Sequence, residues 1–225
     1  MRRIVSVYET SVGKKLVMAV TGAVLFLFVF VHMIGNLKIY QGPEKYDAYA
    51  AFLREAGSPA LGHGQMLWIA RIVLLGATGL HVISAVQLAW TSRRARDIGY
   101  RRFRDQSFSY ASRTMRWGGV IIAAFVVYHL LHLTLGTVHH DFSHESVYRN
   151  VVSAFRRWPV STAYLAAMVP LGLHLYHGMW SVTQTLGAES PGLRRCRRPL
   201  AAGVALAVFV GNVSIPLAVL AGWVR

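Results

Sequence analysis

The chain has 225 residues, 54% of them hydrophobic and only 15% charged, with a formal net charge of +15. That balance is too apolar for an ordinary soluble domain. The single cysteine, Cys196, excludes an internal disulfide, a cysteine-ligated iron–sulfur cluster and a C-x-x-C-H haem attachment, so any haem is held non-covalently.

Five runs lack Asp, Glu, Lys and Arg: 16–37, 72–92, 117–140, 158–188 and 199–224. Each reaches the roughly 20 residues that cross a bilayer as a helix. None alternates like a barrel strand, and backbone groups in lipid must be satisfied internally. The expectation is one all-α membrane domain, 1–225, with helices at about 15–39, 66–92, 115–140, 159–187 and 199–223. The first helix follows a polar lead and is too long for the apolar core of a cleavable signal. It carries Thr21-Gly22 and then His32. The second holds Arg71 and His81, the third Gly119, His129 and His132, and the fourth His174 and His177 with Gly178 behind them. The fifth has no histidine.

Sixteen basic residues flank one set of helix ends: Arg2, Arg3, Lys14 and Lys15, eight arginines between Arg93 and Arg116, and Arg194, Arg195, Arg197 and Arg198. The other side has seven. The positive-inside rule then places the N-terminus in the cytoplasm and the C-terminus outside. Charge so concentrated orients the chain and offers a dock for an acidic partner or lipid headgroups; a nucleic-acid partner is not expected. All nine carboxylates lie outside the apolar runs, whereas proton pumps and ion-coupled transporters keep one at membrane depth.

An intramembrane histidine is a functional candidate by default. Helices one to four each present at least one, and a four-helix bundle with inward histidines can hold haem between facing imidazoles. His32 lies 17 residues past Lys15 and His129 lies 13 past Arg116, about 25 and 20 Å from the cytoplasmic end. His81 is 12 residues before Arg93 and His177 is 10 before Gly187, about 18 and 15 Å from that end. Helices one and three would share an outer haem, and helices two and four an inner one. Depth alone accepts His174 as readily as His177. Gly22 and Gly119 each precede a histidine by ten residues, a spacing suited to packing along a haem edge, which favours His129 over His132. His132 and His174 are then supporting or propionate-side groups. His63, His139, His140 and His144 read as solvated loop residues, in preference to a metal site formed by His139, His140, Asp141 and His144.

The segments SVGKKLVMAVTG, FVFVHMIGNL, KYDAYAAFLRE, LWIARIVLLGATGLH, RWGGVIIAAFVVYHLLHLT and LHLYHGMWSVTQTLG together resemble one family. It is the single-chain, five-helix, di-haem cytochrome b anchor of succinate dehydrogenase, a type shared with some bacterial fumarate reductases. The resemblance implies two b haems, the outer ligated by His32 and His129 and the inner by His81 and His177, the His177-Gly178 pattern favouring that histidine. It implies no succinate-oxidising site in this chain. A flavoprotein subunit would oxidise succinate, and an iron–sulfur subunit would dock on the basic cytoplasmic face. Electrons would pass outward to a quinone, expected to be menaquinone, in a bacterial cytoplasmic membrane. Arg71 would pair with a haem propionate, with Lys15, Arg116 and Tyr128 as lesser candidates, and Glu55 would lie on the quinone side. Some fumarate-reducing members carry a glutamate two residues before the helix-four ligand; here Leu175 stands there, which favours succinate oxidation. The alternatives are a di-haem anchor of a fumarate reductase, hydrogenase or formate dehydrogenase, and a haem-free transporter. A transporter would be expected to show inverted repeats; Pro170 and Pro216 could break helices, but no repeat is visible.

Overall fold

The computed structural model describes residues 8–94, 110–187 and 190–225, with the backbone alone for 110–114. Arg2, Arg3, most of the arginine loop between the second and third spans, and Glu189 lie outside the described residues. All regular structure among the described residues is helical.

Helix α1 is Ser11–Asn36 and passes into a 3-10 turn, Leu37–Gln41. Thr10 caps its start by accepting from Gly13 N–H at 2.9 Å, so the helix begins in the polar lead before the apolar run does. A short helix α2, Pro43–Glu55, follows Gly42, whose φ of 92° suits glycine alone. Helix α3 is Gln65–Arg94. Helix α4, Tyr110–His129, continues as a π turn, Leu130–Thr134, and the chain leaves it at Gly136 with φ 74°. The third helix thus stops short of the expected 140. Helix α5, Val147–Arg156, is a second short element that apolar runs could not reveal. Helix α6 is Trp158–Thr185. Helix α7, Pro191–Leu220, starts eight residues before the expected 199, because Ser190 caps it and Pro191 suits its first turn. Charge-free runs delimit what sits in lipid; capping residues decide where the backbone starts to coil.

Four segments are long and apolar enough to cross a membrane: Ser11–Gln41, Gln65–Arg94, Met115–Thr134 and Pro191–Leu220. The protein is therefore a multi-pass membrane protein by length and composition. Helix α6 is diluted by Ser161, Thr162, Tyr164, His174, Tyr176 and His177. It is also the most enclosed long helix, packing against α7, α4 and α1.

Neighbours run up and down. α1 packs on α3, α4 on α6, and α1 on α6, with α7 across the outside of α1 and α6. Extensive contact is lacking between α3 and α4, and across the diagonals α1–α4 and α3–α6, among the described residues. The first four long helices thus make a bundle whose diagonal members are held apart. α3 touches little beyond α1 and α2, so Trp68, Ile72, Leu75 and Ile83 are exposed, as lipid-facing residues are. At one end lie Lys14, Lys15, Arg93, Arg94, Arg116 and Arg194–Arg198. The opposite end is capped by α2 and α5.

That capped end holds the larger apolar core, with Ile39, Tyr46, Tyr148, Val152, Phe155, Tyr164, Ile215 and Val219. Burial pushes the Tyr46 phenol up to about 12, helped by Asp47 and Tyr49. Asp47 joins the two short helices: Oδ1 accepts from Tyr148 N–H at 2.9 Å and Oδ2 from the Ser146 hydroxyl at 2.6 Å. Asp47→Ala is expected to cost about 1–2 kcal/mol. Amide exchange should then quicken across Val147–Arg156 first, while the long helices keep their protection.

Candidate functional site

The histidines of the long helices meet in pairs across the diagonals. His32 on α1 faces His129 on α4, ring centres 6.0 Å apart at 84°. His81 on α3 faces His174 on α6, ring centres 6.2 Å apart at 60°. The sequence favoured His177 for that second pair. The structure instead turns His177 against Trp180, ring centres 5.5 Å apart, and puts His174 opposite His81.

Two rulers give the spacing of the pairs. On α1, Thr21 touches His81 while His32 belongs to the other pair, and the two are eleven residues apart. On α6, Tyr164 touches His129 while His174 belongs to the other pair, ten residues away. The separations amount to about 16.5 and 15 Å along the helix. One site therefore lies toward the capped end and the other toward the arginine-rich end. This is a wider gap than helix counting from the termini gave.

Side-chain partners fix ring orientation. Thr21 donates its hydroxyl proton to Val17 O at 2.7 Å, which leaves Oγ1 to accept from His81 Nδ1 at 3.2 Å. His81 then keeps Nε2 for another bond. Gly22 makes room for this ring: a Cβ there would stand 3.2 Å from His81 Cε1. The glycine read as serving His32 thus serves His81. Tyr164 Oη lies 3.3 Å from His129 Nδ1 and 3.0 Å from His132 Nδ1. With one proton to give, it accepts from one ring and donates to the other. If His129 uses Nε2 elsewhere, its Nδ1–H donates to Tyr164, which donates to His132. His132 is buried, stacked between Tyr128 at 5.2 Å and His139 at 4.8 Å, and faces no histidine of another long helix. The π turn that carries it begins directly after His129, and such turns collect at functional sites.

The remaining candidates are dispersed. Arg71 lies over the Trp68 ring, 4.8 Å from its centre and ten residues from His81 toward the capped end. Lys15 and Arg116 are exposed at the opposite end. Glu55 meets His63 at 2.5 Å, both exposed beside the turn into α3. His139 points inward to Asn150 O, Asp141 pairs with Arg149 at 3.0 Å, and His144 lies against Phe142. Among the described residues no three His, Cys, Asp or Glu side chains converge on a metal site.

Two imidazoles suffice where a macrocycle supplies the other ligands. With metal–nitrogen bonds of about 2 Å, two imidazoles on opposite sides of one ion have ring centres roughly 6 Å apart. Both pairs meet that distance. His174 Nδ1 is buried with no hydrogen-bond partner, a condition costing about 1–3 kcal/mol unless a ligand takes it up. Beside His174 an apolar cavity of about 610 Å³ runs between α4 and α6, lined by Gly118, Ile121, Phe125, Ala167 and Pro170. The His81–His174 pair thus offers two imidazoles, an unpartnered ring nitrogen and adjoining apolar space, which suit a bis-histidine haem; the His32–His129 pair offers two imidazoles at the same spacing.

Sequence reasoning missed Tyr164 and the role of Thr21. The signal for Thr21 was its adjacency to Gly22; Tyr164 carried none, since it reaches His129 only through the packing of α6 on α4. Compared with known proteins, the chain matches no family model, no curated protein and no solved structure.

Proposed function

We propose that the chain is a five-span cytochrome b anchor that carries electrons through two b haems, in a succinate:quinone oxidoreductase. The observation that carries this reading is the pair of histidine pairs on diagonal helices, one above the other. The fifth span is α6, whose 28 residues cover about 42 Å. With the N-terminus in the cytoplasm, the arginine-rich end faces inward and the capped end outward. The outer haem is held by His32 and His129, the inner by His81 and His174 in place of His177.

Haem supplies one-electron chemistry between these imidazoles; the chain sets its position and electronics. Thr21 and Tyr164 accept from the Nδ1–H of His81 and His129, which makes both imidazoles better donors to iron. Arg71, toward the capped end, remains the partner for an outer-haem propionate. An iron–sulfur subunit would deliver electrons at the basic face, with a flavoprotein subunit behind it. Quinone, expected to be menaquinone, would accept them at the capped end. Two places there suit it: the Glu55–His63 pair, and a cavity of about 400 Å³ lined by His132, His139 and Arg157 next to the outer pair. The likeness of the quoted segments favours succinate dehydrogenase over a fumarate reductase, hydrogenase or formate dehydrogenase anchor. With His174 as ligand the position two residues before it is Gly172, again no carboxylate, so the preference for succinate oxidation stands.

The deciding measurement is haem b per chain in the purified membrane protein. Two are expected; none, as for a transporter, or one would overturn the reading. Co-purified flavoprotein and iron–sulfur subunits then identify the complex.

The hydrogen bonds make a separate prediction. Tyr164→Phe is expected to raise the midpoint potential of the outer haem and Thr21→Val that of the inner, because each removes electron donation to an iron ligand. Redox titration followed in the haem bands checks this; a change in the other haem, or none, refutes the assignment.

A further inference from the structure

One turn beyond His174, toward the arginine-rich end, polar atoms are buried without partners. His177 Nδ1 and Trp180 Nε1 make no hydrogen bond, and Trp180 is 8% exposed. The two rings meet edge to face at 5.5 Å. The Arg198 guanidinium lies over the indole, 5.1 Å from its ring centre. Indole N–H can only donate, and a guanidinium only donates. A buried donor without an acceptor is costly, and the cost is removed if an acceptor sits there when the protein is loaded. Donors of this kind beside a cation call for an anion, a carboxylate or a phosphate. His177 and Trp180 follow His174 by three and six residues, about 4.5 and 9 Å along α6. They therefore extend from the inner iron site toward the basic end, on the helix that supplies its ligand.

We propose that Trp180, His177 and Arg198 hold the carboxylate edge of the inner haem, with Trp180 Nε1–H and His177 Nδ1–H donating and Arg198 supplying positive charge. This rests on the haem reading above. It gives His177 a role that its place three residues from a ligand left open, and it sets the inner haem's propionates toward the arginine-rich end. Arg71 serves the outer haem at the other end. The three residues are positioning residues: none touches iron.

The test uses the full chain, purified with its haems from membranes, as wild type and as Trp180→Phe, His177→Gln and Arg198→Gln. Trp180→Phe keeps a ring and removes only the donor. Haem-to-protein ratio is measured first. If the wild type lacks two haems, the haem reading fails, and this proposal with it. With two present, redox-difference infrared spectra are recorded on protein carrying haem labelled with carbon-13 at the propionate carboxyls. The expected result is a shifted carboxylate band in all three variants. In Arg198→Gln the midpoint potential of the haem that His174→Ala removes should also fall, since a cation near the propionates favours the reduced iron. Unchanged bands with two haems retained would overturn the proposal. So would loss of a haem in His177→Gln, which would make His177 the ligand. Loss of tightly bound anionic phospholipid from the variants, with the carboxylate bands unmoved, would assign the site to a lipid phosphate and overturn it equally.

Discussion

His174→Ala is expected to leave one haem b per chain, whereas His177→Ala leaves two. In the first variant His81 loses the ring that stands 6.2 Å away across the bundle. Losing an outer-shell partner already costs roughly 10–100-fold in metal affinity, and losing a ligand costs more. The haem that remains should keep the spectrum of the His32–His129 pair. Under the proposed function succinate-driven quinone reduction should also fall to background, because the inner haem would be the entry point for electrons. In the second variant the ring removed lies against Trp180 and faces no histidine of another long helix, so both haems stay. Pyridine haemochrome assay per mole of protein reads the difference directly. Two haems in His174→Ala and one in His177→Ala would reverse the assignment.

Gly22→Leu is expected to abolish the inner haem although Gly22 ligates nothing. A Cβ at this position meets His81 Cε1 at 3.2 Å, and a branched side chain needs the whole space that the ring fills. Either His81 leaves the diagonal, and the pair with His174 is broken, or α1 and α3 separate. Overpacking of this kind costs about 1–3 kcal/mol, and small residues are what let helices in lipid approach at all. Gly203→Leu is the control: a Cβ there meets no atom within 4 Å on an exposed face of α7. It should retain both haems and the melting behaviour of the parent. Loss of the inner haem in both variants would point to general destabilisation; loss in neither would detach Gly22 from the site.

What the sequence by itself determined is the membrane character, the order of the apolar helices, the crowding of basic residues at alternate helix ends, and the four helices that carry histidine. These follow from composition and from runs of side chains, which act residue by residue. It also singled out His32, His81 and His129, the histidines that the structure sets opposite a second imidazole. The tertiary structure decided the rest. His174 and His177 share a helical face, about 60° and 4.5 Å apart. Only the rotation of α6, set by its packing on α4 and α7, presents His174 to His81. Thr21 and Tyr164 become histidine partners through contacts 60 and 35 residues distant in the chain, which no local pattern encodes. The short helices Pro43–Glu55 and Val147–Arg156 escaped notice for the same reason. Their apolar residues are too few to mark a span, and they are held by one carboxylate, Asp47, reaching across 99 residues to Ser146.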